Sequence, residues 1–239
     1  DAHVFYMEAL IHKGSGEEVE ARKWLDLALK RAPHSLLMRL MDARLMDIEG
    51  QPGDAAQSYR QCFKEHWGGR SLVSRHLVAT VKERQQRGEP MLSRIQFLDD
   101  ALPEDSQELL NVGFYLKRGG LGPLFLDALN VRLKNNPDDA DLRAGFAGEL
   151  LAFPQSEGRA KQEITQLMAR HPDLAQAYYL QAMVFEKEGE TQSAWAMYQT
   201  ALEKDSDLIR AVLGKNRMAT VLGMDIDVRG EMGKIRGRL

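Results

Sequence analysis

Large and small apolar residues alternate regularly in the segment AYYLQAMVFEKEGETQSAWAMYQTALEKD, residues 177–205. They form two sets, each with the spacing i, i+4, i+7 that places its members on one face of a helix. The sets are Tyr178, Ala182 and Phe185, and then Ala194, Tyr198 and Ala201. Gly189 lies between the two sets and indicates a turn. The segment therefore predicts a hairpin of two amphipathic helices, whose small residues allow the helix axes to approach to about 8–10 Å.

The same pattern recurs along most of the chain with a period near 34 residues. The predicted repeats are 2–35, 36–71, 72–105, 106–140, 141–174 and 175–208, with starts 34 to 36 residues apart. Five such spacings in succession indicate an array of helical hairpins. After the array, the segment 208–222 predicts one more amphipathic helix that would cap it. The last residues, 223–239, predict a short final helix or a frayed tail with a basic end.

The spacing resembles that of the tetratricopeptide repeat (TPR), which places large residues at repeat positions 4 and 11 and small ones at positions 8, 20 and 27. In the first repeat these positions hold Phe5, Ala9, His12, Ala21 and Ala28. The middle repeats depart from the pattern, with Arg39 and Arg75 at position 4 and with Met91 and Phe125 at position 20. The resemblance implies an all-α fold, a right-handed α-α superhelix of about six helical hairpins. It also implies a TPR array over residues 1–208, followed by a capping helix and a C-terminal tail over 209–239.

Composition and charge exclude several classes of protein. Of the 239 residues, 44% are hydrophobic and 28% are charged, as in an ordinary folded protein. The formal charge of −3 is too small to attract nucleic acid, and no stretch approaches the ~20 apolar residues of a membrane span. We therefore expect a soluble fragment of the cytoplasm or the periplasm. The first residue is Asp1, which indicates an excised or processed piece, so further repeats or an anchor upstream stay open.

No set of residues in the sequence has the spacing of a catalytic or metal site. The six histidines are scattered, and the single cysteine excludes an internal disulfide. Cys62 falls where the repeat favours a small buried residue, which predicts a packed thiol. The Gly-x-Gly in HKGSGEE, residues 12–18, follows a predicted helix and is interpreted as a turn, not a phosphate loop. We expect neither an enzyme nor a bound cofactor or metal.

The TPR resemblance implies a binding surface. In TPR proteins the first helix of each repeat lines a concave groove through positions 2, 5, 9 and 12. Carried over to this sequence, those positions predict the partner-binding residues Tyr6, Leu40, Arg44, Leu110, Phe114, Lys117, Glu149, Tyr179 and Met183. The mixture of aromatic, aliphatic and charged side chains suits an amphipathic helix or an extended peptide. We place the main site on repeats four to six. No repeat has the Lys and Asn pair with which some TPR proteins hold a chaperone carboxylate.

The function predicted from the sequence is that of an adaptor or scaffold that binds a protein or peptide in the groove. The alternative is a structural module that associates with itself through the ends of the array. Val4, Phe5 and Leu10 on the first predicted helix have nothing N-terminal to pack on, so we expect either further upstream repeats or a homodimer through the N-terminal end. The sequence does not identify the partner.

Overall fold

A computed structural model describes residues 1–224, and these residues form thirteen α-helices and no β-strand. The chain divides into two compact units, residues 1–135 and the residues from Asn136 onward. Each unit is described by itself. In both units consecutive helices pair as hairpins, so the predicted all-α class is observed throughout the described part of the chain.

The first unit contains four hairpins stacked in two layers. Their helices are α1 (Ala2–Gly14), α2 (Glu18–Arg31), α3 (Leu36–Ile48), α4 (Pro52–Glu65), α5 (Arg70–Gln86), α6 (Met91–Ala101), α7 (Ser106–Arg118) and α8 (Gly122–Asn135). In one layer α5 packs between α3 and α7, and in the other α6 packs between α4 and α8. The first helices of hairpins two to four therefore form one surface of this unit, as the repeat pattern predicts.

The second unit contains two hairpins and one further helix. Its helices are α9 (Ala140–Leu150), α10 (Glu157–Arg170), α11 (Ala175–Glu188), α12 (Thr191–Lys204) and α13 (Ile209–Val221). Helix α11 packs on α9, α10 and α12, and α13 packs on α12 and α11. A helix is thus present where the capping helix is predicted. The predicted tail from residue 225 onward, with its basic end, lies outside the described residues.

A glycine in the left-handed region of φ ends the first helix in five of the six hairpins. These glycines are Gly16, Gly50, Gly88, Gly120 and Gly189, with φ between 76° and 84°. Glycine takes this conformation without the steric cost of a Cβ. The hairpin of α9 and α10 differs, because α9 ends at Leu150 and a 3₁₀ helix, Pro154–Ser156, precedes α10. Pro154 thus accompanies an early helix end in the fifth repeat.

Small residues lie where paired helices cross. Ala182, Ala194 and Ala201 have no solvent exposure. A Cβ built on Gly113 of α7 would lie 2.3 Å from the ring of Phe125 on α8. The large neighbours can approach only because the crossing residue is small, which is the reason for the alternation seen in the sequence.

Ion pairs link successive hairpins at equivalent positions. Arg22 on α2 donates a 2.8 Å hydrogen bond to Glu49, at the C-terminal end of α3. Lys161 on α10 donates a 2.7 Å hydrogen bond to Glu188, the last residue of α11. Both cations stand at position 21 of their predicted repeats, and both carboxylates stand at position 14 of the next predicted repeat. A single array over residues 1–208 stays a prediction.

Candidate functional site

Glu83 on α5 connects the first helices of three hairpins. Its Oε1 accepts a hydrogen bond from Arg44 on α3 and lies 3.5 Å from Nζ of Lys13 on α1. The three residues occupy predicted groove positions, and their side chains are largely buried. Arg44 therefore faces the predicted surface but is already paired within the chain.

A second charged cluster ties α3 to α5 and to the turn after it. The carboxylate of Asp47 has no solvent exposure, accepts a hydrogen bond from Arg84 and accepts another from Arg87 at 2.5 Å. Arg84 also pairs with Glu89 at 2.5 Å, and its guanidinium lies 4.4 Å from the ring centroid of Phe97. Because Asp47 and Arg84 are buried and paired with each other, and Arg87 and Glu89 are paired with them, this cluster holds the helices together.

A buried polar contact joins Tyr59 on α4 to Thr80 on α5, next to His76. The Thr80 hydroxyl donates a 3.2 Å hydrogen bond to the backbone oxygen of His76, and its oxygen lies 2.8 Å from the Tyr59 hydroxyl, from which it accepts. Burial, and then the nearby charge of Arg44, lowers the pKa of His76 to about 4. His76 is therefore neutral at physiological pH and adds no charge to this surface.

Two of the predicted binding residues belong to the core. Leu40 has no solvent exposure, and Tyr6 has 8%. Tyr6 packs in a cluster with Met41 and Leu45 of α3, because α3 covers that side of α1. The prediction that Tyr6 and Leu40 line an open groove is therefore wrong.

The fourth hairpin holds an exposed aromatic residue at a groove position, with a second exposed aromatic residue directly after it. Phe114 on α7 is 54% exposed, and Tyr115 beside it is 36% exposed. Their rings meet edge to face, with centroids 5.4 Å apart and planes inclined by 80°. The guanidinium of Arg118 lies 5.6 Å from the centroid of the Phe114 ring.

We refer to Leu110, Phe114, Tyr115, Lys117 and Arg118 as the α7 surface. Leu110 is half-buried, while Lys117 and Arg118 are exposed. The two cations stand in the last turn of α7, where positive charge complements the helix dipole. The α7 surface thus combines an apolar aromatic pair with a positively charged end.

The predicted residues of the second unit lie on α9 and α11. Glu149, Tyr179 and Met183 are each half-buried. The ring of Tyr179 lies 5.9 Å from that of Tyr198 on α12, and burial raises the pKa of Tyr179. Since Leu110, Phe114 and Lys117 are in the first unit, the predicted site on repeats four to six extends over both units. It stays a prediction.

Tyr115 was not among the residues predicted from the sequence. It stands at repeat position 10, and the residues at that position in the second and third repeats, Leu45 and Val81, are buried. The repeat pattern therefore predicts a buried side chain at Tyr115. The signal that could have identified it is its position directly after Phe114, which places two aromatic rings on adjacent residues.

Metal binding and thiol chemistry each require side chains in a particular environment. Within residues 1–224, no group of three His, Cys, Asp or Glu side chains is placed to hold a metal ion. Cys62 is fully buried, and burial raises the pKa of its thiol to about 11, so it is a packed thiol as predicted. None of the described helices is long and apolar enough to cross a membrane.

The hairpin period and the buried small residues at the crossings define the fold. It is TPR-like. No protein-family model matches the sequence, and no curated protein matches it.

Several solved structures are similar to this chain. A MamA fragment (41-end) from Desulfovibrio magneticus RS-1 is 17% identical, with 70% of this chain and 94% of that one covered and a TM-score of 0.43. PilF of Pseudomonas aeruginosa is 15% identical, with 98% and 88% covered and a TM-score of 0.40. A thermophilic TPR protein of Thermus thermophilus, TTC0263, is 18% identical, with 94% and 100% covered and a TM-score of 0.37.

Proposed function

We propose that this protein is an interaction module whose α7 surface binds a segment of another protein. The observation that supports the proposal is the exposed pair of Phe114 and Tyr115 on α7. The corresponding helices α3 and α5 present side chains that are buried or already paired within the chain, such as Arg44 with Glu83. Adjacent exposed aromatic side chains form an apolar patch of the kind that often marks an interaction site.

Aromatic side chains contribute strongly to protein interfaces. A partner that covers Phe114 and Tyr115 removes their apolar surface from water, and truncation of such an anchor typically weakens binding by about 2 kcal/mol or more. The surface is small, so we expect a transient complex with a Kd on the order of micromolar.

The charges near the aromatic pair define the chemistry of the partner. Lys117 and Arg118 follow the pair at the C-terminal end of α7, whereas Asp105 and Glu108 stand at its N-terminal end. A segment with an apolar side chain next to an acidic one therefore matches the C-terminal half of the α7 surface. Because the two ends of α7 carry opposite charges, a charged segment would bind preferentially in one direction along the helix.

Selection from a library of displayed peptides tests this proposal. Peptides are selected on the 239-residue chain and counter-selected on the Phe114→Ala/Tyr115→Ala variant. The proposal predicts enriched peptides that carry an aromatic or aliphatic residue beside an Asp or Glu. It is wrong if nothing is enriched, or if the enriched peptides bind the double variant as well as they bind the unmodified chain.

Trp67→Ala provides a matched control for that selection. Trp67 is also an exposed aromatic residue in the first unit, and the guanidinium of Arg70 lies 3.9 Å from its ring centroid. Peptides selected through the α7 surface should bind the Trp67→Ala variant unchanged. Equal losses in both variants would indicate nonspecific adhesion to exposed aromatic rings, and would contradict the proposal.

The second unit is a separate candidate. Glu149, Tyr179 and Met183 are half-buried and stay predicted binding residues of that unit. They rank below the α7 surface because Tyr179 is already packed against Tyr198.

A further inference from the structure

Lys82 on α5 is a charged residue at a repeat position that is apolar in other hairpins. It stands at position 11 of the third repeat, which is held in the second, fourth and sixth repeats by Met46, Leu116 and Phe185. Leu116 has no solvent exposure, whereas Lys82 is exposed. The lysine therefore adds no apolar contact to the core, and its charge is available at the surface.

Two consecutive glycines bring the C-terminal end of α7 close to Lys82. They directly follow Arg118, the last residue of α7. A Cβ built on Gly119 would lie 2.6 Å from the side chain of Val78 on α5. A Cβ built on Gly120 would lie 3.9 Å from Nζ of Lys82. Because α7 ends this close to α5, the ammonium of Lys82 lies beside the basic end of the α7 surface.

The end of α7 does not need the Lys82 ammonium as a hydrogen-bond donor. The last carbonyls of the helix accept hydrogen bonds of 2.9 to 3.0 Å from the N–H groups of residues 119–121. Among the described residues, no carboxylate forms an ion pair with Lys82 or Arg118. The negative end of a helix dipole amounts to only about half an elementary charge. Positive charge is therefore in excess where α7 ends.

The two cations follow the aromatic pair in a defined order. The guanidinium of Arg118 lies 5.6 Å from the centroid of the Phe114 ring, and Lys82 lies beyond it at the turn. A segment whose apolar side chain covers Phe114, and which continues toward the end of α7, meets Arg118 first and Lys82 second. An extended chain advances about 3.3 Å per residue, so these two cations match two acidic side chains that follow one apolar anchor closely.

We propose that the partner of the α7 surface carries two acidic residues beside its apolar anchor, and that Lys82 on α5 selects the second of them. This inference rests on the proposed function of the α7 surface and adds a specificity-determining residue from the neighbouring hairpin. Charges at the rim of an interface act mainly on selectivity and on the association rate. An exposed ion pair of this kind changes the affinity by about threefold to fivefold.

Parallel selection of displayed peptides on the 239-residue chain and on its Lys82→Ala variant, at low ionic strength, tests the inference. The unmodified chain should enrich peptides with two acidic residues beside an apolar one, and Lys82→Ala should enrich peptides with one. If both chains enrich the same number of acidic residues in peptides that need Phe114 and Tyr115, Lys82 has no selective role and the inference is overturned, while the proposed function stands. If nothing is enriched, both are overturned.

Fluorescence anisotropy with two synthetic forms of a selected peptide measures the contribution of Lys82. The forms differ only in the second acidic residue, which one of them carries as its amide. Lys82→Ala should weaken the acidic form about threefold to fivefold and leave the amide form unchanged, and Lys82→Arg should restore binding. Lys64→Ala, which removes an exposed lysine of α4, is the matched control and should bind both forms normally. Equal losses for both forms, or a similar loss in Lys64→Ala, overturn the inference.

Discussion

Arg217 on α13 donates two hydrogen bonds, both 2.7 Å long, to the carboxylate of Glu186 on α11. The same carboxylate accepts a 2.7 Å hydrogen bond from the hydroxyl of Tyr198 on α12. One side chain thus connects the last three helices of the second unit. Gly214 on α13 allows the close approach, since a Cβ there would lie 2.4 Å from the Tyr198 ring.

The first prediction concerns the pH dependence of this contact. The hydrogen bond from Arg217 is the main reason that the pKa of Glu186 lies below its ordinary value of 4.5. The contribution of this ion pair to stability is complete above about pH 4.5. It is lost as the pH falls through the pKa that Glu186 has in the folded state, which is the lower of the two. Because Arg217 is exposed to solvent, we expect Glu186→Gln to lower the free energy of unfolding by only about 1 kcal/mol at pH 7.

Denaturant unfolding of Glu186→Gln and the unmodified chain at pH 7 and pH 3 measures that effect. The difference between the two proteins should shrink at pH 3, where the carboxyl of the unfolded chain is protonated. Hydrogen exchange should also show faster exchange in α13 of the variant at pH 7. A difference in unfolding free energy that is equal at both pH values would contradict the assignment of the ion pair.

The second prediction concerns the buried carboxylate of Asp47. Asp47→Ala leaves the largely buried Arg84 without its carboxylate partner on α3, and breaking a buried ion pair typically costs about 3–5 kcal/mol. Asp138→Ala is the control, since Asp138 pairs with Arg170 at 3.6 Å and its side chain is 92% exposed. Thermal or denaturant unfolding should show a large loss for the first variant and almost none for the second. Similar losses would mean that the Asp47 cluster does not hold α3 to α5.

The third prediction concerns the crossing of α7 and α8. Gly113→Ala places a methyl group against the buried ring of Phe125, and overpacking of this kind costs about 1–3 kcal/mol. Gly158→Ala on α10 has no atom within 4 Å of the new methyl group and should be neutral or stabilising. The melting temperature of Gly113→Ala should therefore fall, while that of Gly158→Ala should stay the same or rise. Equal tolerance of both substitutions would contradict the close packing at Gly113.

Local spacing in the sequence was sufficient to predict the hairpins. Alternating large and small residues recur because each hairpin meets the same kind of neighbour. The first helices of the six hairpins therefore begin within two residues of the predicted repeat starts, which are 2, 36, 72, 106, 141 and 175. The pairing of Asp47 with Arg84 was not predictable in this way, because the two residues are 37 positions apart and neither belongs to the apolar pattern.

Exposure at the candidate site was less predictable than the fold. Repeat position alone assigns Tyr6 and Leu40 to the groove, but the neighbouring helices bury both. The reverse holds for Tyr115, whose position is buried in the second and third repeats and exposed in α7. Exposure depends on how far each neighbouring hairpin covers a helix, and that is a tertiary property which a single repeat does not encode.

The most direct test of the central claim is the binding affinity of a peptide selected on this chain. Titration calorimetry measures that affinity for the unmodified protein and for the Phe114→Ala and Trp67→Ala variants. Phe114 is 54% exposed, so its truncation should leave the melting temperature almost unchanged. We predict that Phe114→Ala weakens binding at least tenfold, about 1.4 kcal/mol, while Trp67→Ala binds normally. Unchanged affinity of a folded Phe114→Ala variant would show that the α7 surface is not the binding site.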